Sequence, residues 1–157
     1  MTYFTSGLVG GDLTATPTTP SFAVGTRTTG SDGTTWVYVN ASGAIAQYDF
    51  VGIDENYAAA PLSTAMAGDG WMVGTAQVAF DSADYGWVCL SGTNVSGTGI
   101  TGAAADVALY TSGTAGTLTD STTIGTKIDG VVFVTSPTTS AGVSVEVIMT
   151  YPKSNSF

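Results

Sequence analysis

Without a histidine anywhere in its 157 residues, this chain keeps one general route to catalysis, a pair of carboxylates acting as acid and base. Asp54 with Glu55, and Asp81 with Asp84, are the candidate pairs. Asp81 and Asp84 fall in DSADYG, between two expected strands, where Asp commonly caps its own backbone, so a turn is the expected reading. Calcium wants six or more oxygens, and this segment offers two carboxylates and a hydroxyl, so no metal is expected. Gly97, Gly99 and Gly102, with Asp120 downstream, match the spacing of a dinucleotide fingerprint. That mechanism needs a helix opening on the pyrophosphate, whereas AAADVALY runs directly into a glycine-bearing turn. A loop without a cofactor is expected there. Cys89 in WVCL has apolar neighbours on both strand faces and reads as a small buried hydrophobe, with nothing nearby to activate its thiol. The sequons at Asn40 and Asn94 have meaning only in a eukaryotic secretory pathway, for which the opening residues give no support.

Charge and composition remove further classes. Three Lys plus Arg against twelve Asp plus Glu leave a net charge of −9, which argues against nucleic acid and against anionic membrane surfaces as partners. A single Cys and no His exclude Ser-His-Asp and Cys-His nucleophiles, His-based or multi-Cys zinc sites and an intrachain disulfide. No run approaches the roughly 18 apolar residues of a membrane span. The start MTYFTSGLVGG lacks the basic and apolar regions of a secretory signal, so synthesis and retention in a cytosol are expected.

The elements that would position these residues read as strands. Only 10% of residues are charged, 43% are hydrophobic, and 21 Gly with abundant Thr and Ser fill the balance, which favours an all-β fold with at most one short helix. Residues 1–33 stand apart as an extended Thr/Pro/Gly-rich arm whose apolar anchors are Leu8, Val9, Leu13, Phe22 and Val24, with Pro17 and Pro20 favouring extended backbone. Such a segment reads either as a strap laid on another surface or as a loose terminus.

Residues 34–157 form the β-rich domain. Strands are expected in TTWVYVN, in Tyr48–Ile53, in a hairpin of Trp71–Phe80 with Tyr85–Leu90, in a second hairpin around Ser112–Gly116, and in KIDGVVFVTS and AGVSVEVIMTY. In the last, Val143, Val145, Val147 and Met149 share one face. A short Ala-rich helix precedes Gly68. About eight short strands suit a small barrel or sandwich.

Trp36, Tyr38, Trp71, Tyr85 and Trp87 could form an aromatic platform for sugar stacking or an oligomer interface, and core packing is the alternative. Both faces of WVYV, WVCL and VVFV are apolar, more than one small sheet covers by itself, which points to a homo-oligomeric contact.

The stretch Gly43–Gly92, through QYDFVGID, GDGWMVGTAQVAF and DYGWVCLSG, resembles the capsid decoration (cement) proteins of tailed bacteriophages. ADVALYTSGTAGTLTD and TKIDGVVFVT also fit that family, so the resemblance covers Thr34–Tyr151. It implies a small β-rich structural protein, usually a homotrimer, that binds the major capsid protein on the outside of an expanded icosahedral head and helps it withstand packaged DNA. It implies no enzyme activity, no cofactor and no catalytic residue, and it places the protein on the outer capsid surface of the virion. In that setting residues 1–33 would lie across neighbouring capsid subunits. A glycan-binding β-sandwich module of a tail fibre or surface adhesin is the rival reading, and an enzyme using carboxylates alone is a more distant third.

Overall fold

The computed structural model describes residues 11–123, 125–138 and 143–155. The chain is nearly all β, and among these residues ten strands join one sheet. In chain order they are β1 (Arg27–Thr29), β2 (Thr35–Ala41), β3 (Phe50–Ile53), β4 (Ala58–Pro61), β5 (Met72–Thr75), β6 (Tyr85–Gly99), β7 (Leu109–Thr111), β8 (Leu118–Thr119), β9 (Lys127–Phe133) and β10 (Val143–Asn155). The expected short helix is α1 (Thr64–Gly68), started by the Ser63 hydroxyl, which accepts from the Met66 amide.

The pairings close two rings. β2, β4, β3, β5 and β6 follow one another around the first, and β6, β8, β7, β9 and β10 around the second. Each ring has four antiparallel contacts and one parallel contact, and each is drawn shut at a single residue pair, Thr75 with Cys89 or Gly99 with Leu118. The long strand β6 belongs to both. Its first half pairs with β2 and its second half with β10, so the architecture is two small barrels built on one shared strand.

This arrangement answers the two-sided strands. Val37, Val39, Val88 and Leu90 point into the first barrel, where they meet Val51, Ile53 and Ala59. The alternate residues Trp36, Tyr38, Trp87 and Cys89 point outward from it, into a second cluster continuous with the core of the second barrel: Leu109, Leu118, Ile128, Phe133 and Val147. Period-two alternation therefore feeds two cores from one strand. The same chain supplies the covering that an oligomer was expected to provide.

Three sequence expectations change. Trp71–Phe80 is not one strand in a hairpin with Tyr85–Leu90: β5 ends at Thr75, pairs mainly with β3, and Phe80 instead bridges to Ile45. The sheet starts at Arg27, so the β domain begins before residue 34. The strands number ten among the described residues rather than about eight. The hairpin around Ser112–Gly116 is present as β7 and β8, and the last two strands pair with each other. Val145, Val147 and Met149 are buried on one face of β10 as the alternation predicts; the side chain of Val143 lies outside the described set.

Candidate functional site

The aromatic platform is the first candidate, and most of it is interior. Tyr38 and Trp87 are each 1% exposed and Trp36 8%, so none of the three can stack on a sugar or meet a second subunit. Tyr38 and Trp87 meet edge to face at 5.0 Å, and Tyr85 stacks on Tyr38 at 6.4 Å. The Trp36 indole N–H donates to the Thr34 hydroxyl at 2.6 Å, so its polar edge is satisfied inside the fold. Tyr85 and Trp71 remain half-buried. The physical reason for the correction is β2–β6 pairing, which sets Tyr38 opposite Trp87 and stacks the large side chains on the face that the rest of the chain covers.

The covering comes from the arm. Phe22 packs against both Tyr38 and Trp87, 5.3 Å from each ring, and Leu13 packs on the same cluster. Backbone bonds tie the arm down: the Tyr85 amide donates to the Pro17 carbonyl at 2.8 Å, and the Ser21 amide to the Tyr38 hydroxyl at 3.1 Å. The Gly25 amide donates to the Tyr38 carbonyl, and the Tyr38 amide to the Thr26 carbonyl, both at 2.8 Å. The described part of the arm is thus a strap on its own domain. Leu13, Phe22 and the Pro17 carbonyl are engaged there and are not free to grip a neighbouring subunit. Pro20 and Val24 face outward, Val24 with 38% exposure. Leu8 and Val9 lie outside the described residues.

One carboxylate of each pair serves a turn. The Asp81 amide donates to the Asp84 carboxylate at 2.9 Å, and the Asp84 amide returns to the Asp81 carbonyl at 3.2 Å. Asp54 accepts from the Asn56 and Ala58 amides at 2.9 and 2.8 Å and shapes the turn between β3 and β4. No group of three or more His, Cys, Asp or Glu among the described residues could hold a metal ion. Gly97 and Gly99 lie within β6 rather than at a helix start, and Asp120 accepts from the Ala104 amide at 3.0 Å. Cys89 is fully buried, and burial pushes its thiol up to about 12. No helix among the described residues is long and apolar enough to cross a membrane.

One groove combines aromatic and acidic groups on the surface. About 400 Å³ in volume, it is lined by Tyr57, Trp71, Asp54, Glu55 and Asp69, together with Ile53 and Met72. The register that sets Ile53 opposite Met72 brings the turn after β3 against the segment before β5. Of the platform residues, Trp71 alone reaches this groove; Tyr57 and Asp69 were not singled out by the sequence, because their nearness depends on that cross-strand register. The Arg27 guanidinium lies 3.7 Å from the Met72 sulfur at the edge of the same region.

No family model, curated protein or solved structure matches this chain.

Proposed function

We propose that the chain is a structural virion protein that binds the outer surface of an icosahedral phage head as an oligomer and stabilises the expanded, DNA-filled shell. The observation that carries this reading is that Asp54, Asp84 and Cys89, candidates for chemistry in the sequence, are used by the fold in its own turns and core. Asp54 and Asp84 accept backbone amides in turns and Cys89 is sealed in the core, while the surface carries β strands, the outer edge of the strap and the groove of Trp71, Tyr57 and three carboxylates. The family resemblance supports it, since QYDFVGID, GDGWMVGTAQVAF and DYGWVCLSG supply β3, β5 and the first half of β6, three of the five strands of the first barrel. The acidic charge favours a protein shell over DNA as partner. In this proposal the capsid contact falls on the exposed side of the strap, at Pro20 and Val24, and several copies linked in an oligomer raise occupancy by effective concentration.

Density-gradient co-sedimentation with heads from the source lysate tests it. The full chain is expected to migrate with DNA-filled heads at fixed stoichiometry, and Val24→Asp to reduce that occupancy without unfolding the protein. A chain starting at Gly11 measures what residues 1–10 add. Protein that remains at the top of the gradient, with heads equally robust in its absence, overturns the reading.

A glycan-binding module is the second reading, favoured by one feature, the groove in which Trp71 and Tyr57 meet three carboxylates. A glycan array separates the two, because decoration of a protein shell needs no sugar.

A further inference from the structure

On the outer face of β9 and β10 the chain exposes an apolar strip. Ile148, 40% exposed, stands directly opposite Val132, and Ala108 lines the same groove beside them. Ala108, Val132 and Ile148 line a groove of about 260 Å³ with Lys127 and Asp129 at one end. Ile148 is one of four large exposed hydrophobics among the described residues.

The charges along this strip are sorted. At one end Lys127 bonds Asp129 at 2.7 Å, and Lys153 stands opposite Asp129 in register, giving that end a net positive charge. At the other end, beyond Ile148, Glu146 is exposed. The two ends lie about 20 Å apart at the rise of an extended strand. Lys127 and Lys153 are two of the three cations in the whole chain. The four charged side chains of β9 and β10 therefore sum to zero, while the remainder of the protein holds the full charge of −9.

We infer that this strip is a self-association surface, on which a second copy of the chain packs antiparallel, with Glu146 of each copy against Lys153 of the other and the two Ile148 side chains flanking the twofold axis. An acidic copy is repelled by every strongly acidic face and is not repelled here. Antiparallel packing matches opposite charges at both ends, whereas parallel packing places Glu146 on Glu146. The contact is isologous and makes a dimer, in contrast to the threefold assembly implied by the family resemblance. It does not rest on the capsid reading, and the gradient experiment above can fail without touching it.

Sedimentation velocity of the full chain over a wide range of concentration tests the inference. A monomer–dimer equilibrium is expected. Glu146→Lys alone and Lys153→Glu alone should each weaken it by about tenfold or more, since each creates two like-charge contacts. An equimolar mixture of the two variants should associate as well as the unaltered protein, because each then meets its opposite. Ile148→Asp should abolish association, with far-UV circular dichroism and melting confirming that this exposed site leaves the fold intact. A monomer at all concentrations, a trimer, association indifferent to either reversal, or failure of the mixture to recover would each overturn the proposal.

Discussion

Cys89 illustrates what a single residue's surroundings decide. Burial holds its thiol protonated, with a pKa pushed up to about 12, and the backbone around it is paired in the centre of the fold. A thiol reagent should leave the native protein unlabelled at mildly alkaline pH and label it once denaturant opens the core; rapid native labelling would contradict the burial. Gly97 is a tighter constraint. A Cβ there would stand 2.6 Å from Cζ of Phe50, whose ring is fully enclosed and has nowhere to move. Gly97→Ala should therefore destabilise by about 1–3 kcal/mol in denaturant unfolding. Asp49 carries the pH signature. Half-buried, it has its carboxyl pushed above the ordinary value by desolvation, against the opposing bond from the Ala46 amide. An acid raised in the folded state costs stability as pH climbs from the unfolded value through the folded one. Asp49→Asn, which still accepts the Ala46 amide, should raise the melting temperature at neutral pH and lose that advantage as pH falls below about 4, the ordinary carboxylate value. An advantage that grew on acidification would contradict the sign.

Among the elements, the strap makes the clearest claim. Phe22 caps both Tyr38 and Trp87, so Phe22→Ala should cost about 2 kcal/mol and expose the Trp87 indole, seen as a red shift in fluorescence. A strap that merely rested on the surface would leave both unchanged. How far the elements could be read from sequence depended on where their partners lie. The alternation in VSVEVIM is local, and β10 follows it. Ser63 and the alanines likewise encode α1 within a few residues. The strand β6 was read as ending near Leu90, because SGTNVSGTG has the composition of a loop, yet it continues to Gly99. Pairing with β10 holds that polar, glycine-rich half extended, and Gly92 and Asn94, both at positive φ, mark the irregularity in the ladder where register slips between Val147 and Met149. The aromatic residues were legible as a group and their role was not. Whether WVYV buries its rings inside or offers them outside is set by Phe22 and by the second barrel, neither of which the strand encodes.

At the scale of the whole molecule the shared strand makes a statement about cooperativity. The first barrel's outward face and the second barrel's core are one continuous cluster, from Trp36 and Trp87 through Val95 to Leu118 and Phe133. Neither ring can open without exposing side chains that the other buries, so the chain should unfold as a single unit. Leu118→Ala, made at the strand pair that closes the second ring, removes a fully buried side chain and should cost about 3 kcal/mol. That corresponds to a fall of roughly 10 °C in melting temperature for a domain of this size. The decisive reading is the probe used. Trp36, Trp71 and Trp87 all lie on or beside strands of the first ring and none lies on β7–β10, so tryptophan fluorescence reports on the first ring and its outward face, while far-UV circular dichroism reports on all strands. In Leu118→Ala both signals should move together to the same lower temperature. If fluorescence keeps its original midpoint while circular dichroism splits into two steps, the rings are separate folding units and β6 only tethers them.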